Sequence, residues 1–198
     1  LLAAYHVLLG RYSRRSDIST AVVAEPLGMD ATPKSILAVS TGHPPPGNFS
    51  EVLGQVREAL ASGLVRSNGV AGGPSPGGGE TEGQAGHVPM FAWLDEAEDL
   101  GEAAHGLAEG IGPASFEILL ACGRRSGEIE LLLLHDPGHV GVDAIQRMMG
   151  HFQVLLAEIP HGLDKEISAL PLMLEEELLL VERTWNDTSV PYPRDGSI

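Results

Sequence analysis

The stretch HDPGH (135–139) sets two histidines and an aspartate within five residues, types that can ligate a metal or form an acid–base pair. A His-x-x-x-His spacing brings both rings to one face only in a helix, and Pro137 with Gly138 works against a helix there. The competing reading is a strand end followed by an Asp-Pro-Gly turn, in which Asp136 and Pro137 serve the backbone. Cys122, the one cysteine of the chain, lies inside the apolar run FEILLACG. That setting predicts a small buried hydrophobe rather than a nucleophile. GGGETEG (77–83) follows no strand and precedes no Lys-Ser/Thr pair, which argues against a phosphate-cradling loop. From the residues alone, neither a catalytic nor a metal-ligating set emerges.

Charge narrows the partners. The 198 residues carry 12 basic and 27 acidic side chains, a net charge of −15. Nucleic acid is not an expected partner, because binding phosphates calls for a basic face. No Lys or Arg lies between Arg66 and Arg124, while Glu80, Glu82, Asp95, Glu96, Glu98, Asp99, Glu102, Glu109 and Glu117 do. Such a run predicts a solvated acidic face. A lone cysteine forms no internal disulfide and suits a cytoplasmic location. No apolar run approaches the roughly 18 residues of a membrane span, so no membrane partner is expected. The chain opens at Leu1 without a secretory pattern and is expected to be a piece of something longer.

These residues need elements to hold them. LLAAYHVLLGRYS (1–13) places Leu1, Leu2, Tyr5, Leu8, Leu9 and Tyr12 on a helical stripe. DISTAVVAE (17–25) and SILAVST (35–41) read as strands. His43 to Asn48 is a proline-rich turn. Asn48 then caps a helix, with Glu51 at the capping-box position and a stripe of Phe49, Val52, Leu53, Val56, Leu60 and Leu64. Residues 67–87 are dominated by Gly, Pro and Ser and predict a flexible loop inside the domain.

VPMFAWL (88–94) is a strand candidate, and 95–112 is either a weak helix through Leu100, Ala104 and Leu107 or an irregular crossing. FEILLACG (116–123) and EIELLLLH (128–135), separated by RRSG, predict a hairpin whose second strand is buried on both faces. Asp143 is placed as the cap of the clearest helix, with Ile145, Met148, Met149, Phe152, Leu155, Leu156 and Ile159 inward. A last short helix, LEEELLLVERTW, precedes the tail. Strands alternating with amphipathic helices predict an α/β layered fold.

Longer patterns add a family. MMGHFQVLLAEI followed by ISALPLMLEEELLLVERTWNDTSVPYP resembles the end of a condensation domain of a nonribosomal peptide synthetase. There a helix of the form RMxGHFQxLL precedes ELPLLxxxERxxLLxxWNDT, then YP, then an adenylation domain. LLAAYHVLLGRYSRRSDI resembles the helix and strand that open the family's second lobe, and NFSEVLGQVREAL a later helix of that lobe. SFEILLACGRRSGEIELLLLHDPGHVGVDAIQRMMGHF resembles its hairpin and following helix, which sets HDPGH at a turn rather than at the catalytic motif.

The resemblance implies a chloramphenicol-acetyltransferase-like α/β lobe, a mixed β-sheet flanked by helices, over residues 1–174, with 175–198 a linker helix and tail. It implies partners: an N-terminal condensation lobe upstream, an adenylation domain downstream, and peptidyl carrier proteins. Phosphopantetheine would sit on the carriers, with no cofactor bound directly. The family's activity joins carrier-bound acyl and aminoacyl thioesters into amides, using an HHxxxDG motif of the first lobe that this sequence does not contain. Trp185, Asn186, Asp187, Tyr192 and Pro193 become candidate interdomain linker contacts, with Pro191 and Pro193 stiffening the path. Two departures stand out. No VNT occurs in or near SILAVST, and the Gly/Pro-rich loop stands where the family carries HQDxPFE. They keep open a second reading, a non-catalytic degenerate half-domain that serves as an interaction module for an adenylation domain and carriers. A free-standing acyltransferase would need its own histidine motif.

Overall fold

The computed structural model describes residues 1–15, 17–23, 36–42, 47–67, 88–94, 97–111 and 116–184. Five strands, β1 (Asp17–Val23), β2 (Ile36–Gly42), β3 (Val88–Trp93), β4 (Phe116–Arg125) and β5 (Glu128–His135), form one sheet in the order β2-β1-β3-β4-β5. The β1–β2 and β4–β5 pairs are antiparallel, and the β1–β3 and β3–β4 pairs are parallel. The sheet is therefore mixed, and its parallel pairs are the ones whose connections run through helices.

Helices α1 (Leu2–Ser13), α2 (Phe49–Ser67) and α4 (Val142–Glu158) cover one face, and α3 (Leu100–Ile111) covers the other. Every residue of α1 from Leu2 to Leu9 is buried, so the helix is enclosed on all sides over two turns rather than along a stripe. Its far end emerges, and Tyr12 is 42% exposed. Tyr5 and Phe152 meet edge to face at 6.3 Å where α1 crosses α4, a geometry worth about 0.5–1.5 kcal/mol beyond the area it buries.

Asn48 caps α2 as its residue type predicts, its Oδ1 accepting the Glu51 amide at 2.9 Å. Phe49, Val52 and Val56 are buried, whereas Leu53 is 39% exposed. At 100° per residue Leu53 falls just past the edge of their stripe. The ambiguous acidic segment forms α3, with Leu100, Ala104 and Leu107 inward. Asp99 caps it, its Oδ1 accepting the Glu102 amide at 2.9 Å. Glu98 and Asp99 before the helix, and Glu102 and Glu109 on it, are exposed.

Two expectations are corrected. Gly141, not Asp143, stands at the N-cap of α4; Asp143 lies in the first turn, where a carboxylate favours the positive end of the helix. The strand buried on both faces is β4, in which Leu119, Leu120, Ala121 and Cys122 are fully inaccessible. β5 is only half-buried because it lies at the sheet edge. Ser126 (φ 53°) and Gly127 (φ 87°) turn the hairpin, the paired positive φ that matches strand twist. Of the expected flexible loop, Ser67 ends α2 and residues 68–87 lie outside the described residues.

Candidate functional site

HDPGH begins at the last residue of β5 and continues as a turn. Asp136 Oδ1 accepts the Gly138 amide at 2.8 Å, and its Oδ2 pairs with His139 Nδ1 at 2.8 Å. The Asp136 carbonyl accepts the His139 and Val140 amides. The aspartate thus holds the turn together, as the backbone reading expects. The histidines do not converge. His135 Nδ1 is buried without a hydrogen-bond partner, while the His139 side chain is 48% exposed. Among the described residues no group of three or more His, Cys, Asp or Glu side chains could hold a metal ion.

Cys122 faces the main core, and burial pushes its thiol up to about 12. Almost no thiolate exists at neutral pH, which removes it as a nucleophile. Burial likewise raises the Tyr5 phenol far above its ordinary range, with the charges of Cys122 and Glu117 adding to the shift.

Two polar constellations escaped the sequence reading. His6, fully buried in α1, sets Nδ1 2.8 Å from Thr41 Oγ1 of β2 and Nε2 2.7 Å from Thr20 Oγ1 of β1. A neutral imidazole offers one donor and one acceptor, and threonine hydroxyls can answer either. One ring therefore ties the helix layer to two strands. A histidine amid LLAAYHVLL was itself the signal, because a helix with no polar face leaves it nowhere but the interior.

The second constellation joins α1, α4 and α5 (Glu175–Leu179). His151 Nδ1 lies 2.7 Å from the Tyr12 hydroxyl and Nε2 2.6 Å from Glu177 Oε2. The Glu177 carboxyl is held below its usual range chiefly by the His151 hydrogen bond and secondarily by the Leu174 amide, with partial burial opposing. The His151 side chain is only 10% exposed and that of Glu177 28%. His151 belongs to the GHF of α4, yet nothing in that spacing announces partners from the first helix and the last.

The candidate linker contacts Trp185, Asn186, Asp187, Tyr192 and Pro193 lie outside the described residues. The helix preceding them is present as α5 and continues into a π turn, Leu180–Thr184. Its Leu178, Leu179 and Leu180 are exposed by 45%, 42% and 42%.

The fold is that of condensation domains, the chloramphenicol-acetyltransferase-like arrangement of a mixed sheet flanked by helices. The starter condensation domain of the rhizomide synthetase superposes with a TM-score of 0.62 at 13% identity, over 87% of this chain and 43% of that one. The first condensation domain of the calcium-dependent antibiotic synthetase gives 0.57 at 17% identity, over 87% and 40%.

The chain is homologous to proteins of the nonribosomal peptide synthetase class. It is 27% identical to a linear gramicidin synthase protein of Brevibacillus parabrevis over 217 residues, 100% of this chain and 4% of that protein. It is 25% identical to tyrocidine synthase 3 of the same organism over 232 residues, 100% and 3%. The chain thus spans a small fraction of the length of these relatives. No family model matches it. Among the described residues no helix is long and apolar enough to cross a membrane.

Proposed function

We propose that this chain is part of a nonribosomal peptide synthetase condensation domain, the C-terminal lobe over residues 1–174, and serves the formation of amide bonds between carrier-bound acyl and aminoacyl thioesters. The observation that carries the reading is the fit to condensation domains over 87% of this chain but only 43% of the neighbour. One lobe of a two-lobed enzyme has that proportion. In this role the lobe forms one wall of the space where two carrier-bound groups meet, and an upstream lobe supplies the HHxxxDG histidine. Carrier proteins bring their substrates on phosphopantetheine. Residues 175–198 lead towards an adenylation domain, and Trp185, Asn186, Asp187, Tyr192 and Pro193 are the contacts that fix that junction.

The test is carrier-to-carrier transfer by the polypeptide in which this chain lies together with an HHxxxDG-bearing segment. Donor and acceptor carriers are loaded with aminoacyl pantetheine, and the acceptor is analysed by intact mass. A dipeptidyl thioester that disappears when the second histidine of the motif becomes alanine supports the reading. A folded polypeptide bearing the motif that transfers nothing overturns it.

A further inference from the structure

Two kinds of attachment hold the chain after α4. Up to Leu170 it is pinned. The Ser50 amide donates to the Leu163 carbonyl and the Ile167 amide to the Gly47 carbonyl. The Arg11 guanidinium of α1 donates to the Ile167 carbonyl at 2.7 Å and the Leu170 carbonyl at 3.2 Å. Leu170 is buried to 1% exposure. Past Pro171 the character changes. Met173 is 51% exposed, and α5 buries none of its five residues. A helix that short does not hold itself together in water.

Two described contacts, at Leu174 and Glu177, help seat it. The Leu174 side chain rests over Gly150 of α4, so close that a Cβ there would stand 3.0 Å from its Cδ1. The Glu177 carboxylate meets His151 at 2.6 Å and also accepts the Leu174 amide at 3.2 Å.

We propose that Tyr12, His151 and Glu177 form a releasable latch: closed, it lays residues 174–184 against α1 and α4; open, this arm turns about Pro171–Met173 while the rest of the domain stays folded. His151 is the fixed half. Its ring is held by burial in α4, by the Tyr12 hydroxyl on Nδ1, and by a tilted contact of the two rings at 5.8 Å. Glu177 is the moving half, on an arm whose described side chains are at most half-buried. The groups that face the pair are Tyr12 from α1, Arg147 from α4, and the Leu174 amide at the head of α5. Arg147 favours the charged carboxylate, so the latch is closed when Glu177 is ionised and opens when it is neutralised. The placement of residues 174–184 on the helix layer is thereby set at one histidine. The latch rests on the described contacts alone and does not require the proposed amide-forming role.

Amide hydrogen exchange on the whole 198-residue chain tests it, with rates corrected for intrinsic exchange. Glu177→Ala is expected to raise exchange across 175–182 by about tenfold, leaving α1 and α4 protected. Glu177→Gln keeps an acceptor for His151 and for the Leu174 amide. It is expected to loosen the same stretch less and to abolish the increase in exchange that the native chain undergoes on acidification. Unchanged protection of 175–182 in Glu177→Ala overturns the latch. So does an equal loss of protection in α4, which would make the contact part of the core.

Discussion

His6 and Thr41 are 35 residues apart in the chain and 2.8 Å apart in the fold. The same ring meets Thr20 at 2.7 Å, so α1 is locked to two adjacent strands by one buried side chain. Thr20→Val keeps the shape of the side chain and removes its hydroxyl. Loss of a buried hydrogen-bond partner costs about 1–3 kcal/mol. A denaturant titration is expected to show this loss as a lower midpoint with an unchanged slope. A neutral result would assign the His6–Thr20 contact no stabilising role.

Glu177 makes stability depend on pH in one direction. Its carboxyl titrates lower in the folded chain than in the unfolded one. Its contribution is fully present above the ordinary glutamate value, roughly 4.3, and is lost as pH falls through the lower folded value. The pair is partly exposed, so the effect is at most about 1 kcal/mol. Thermal unfolding between about pH 3 and 6 is expected to show an acid-side loss that Glu177→Gln reduces. Identical pH profiles for the two chains would contradict this assignment.

Cys122 is expected to resist thiol reagents in the native state. It is fully buried and its thiol is pushed up to about 12, so neither access nor thiolate favours reaction. Labelling at neutral pH should require denaturant and should follow the unfolding transition. Rapid labelling of the native chain would place the sulfur elsewhere than the core.

Phe152 is 2% exposed and stacks edge-on against Tyr5. Phe152→Ala removes a ring at the crossing of α1 and α4, a truncation that costs about 3–5 kcal/mol. The expected readout is a large drop in melting temperature. A change under about 1 kcal/mol would mean the crossing repacks around the gap.

Under the proposed role, the 198-residue chain alone is expected to form no amide between carrier-bound groups. No HHxxxDG motif occurs in it to supply the acid–base histidine. Turnover above background in a two-carrier assay with the purified chain would remove that assignment of the chemistry.

Much of this protein was legible from local pattern. The five strands, the hairpin at RRSG, the Asn48 cap and the inward faces of α2, α3 and α4 follow from periodicities of two and 3.6 and from residues that serve turns and caps. The longer order of motifs pointed to the condensation-domain fold. The Asp136 turn was readable too, because its partners lie within four residues.

What local pattern did not decide depends on the sheet and on distant partners. Whether β4 or β5 is buried on both faces is a matter of strand order, and LLLL in β5 reads as interior although it lies at an edge. The capping of α4 turned on which residue left the helical path, Gly141 rather than Asp143. The ties of His6 to Thr20 and Thr41, and of His151 to Tyr12 and Glu177, join residues 14 to 139 positions apart. Residue types along the chain name donors and acceptors, but only the packed layers bring each pair within hydrogen-bond distance, and that placement is decided by the tertiary structure.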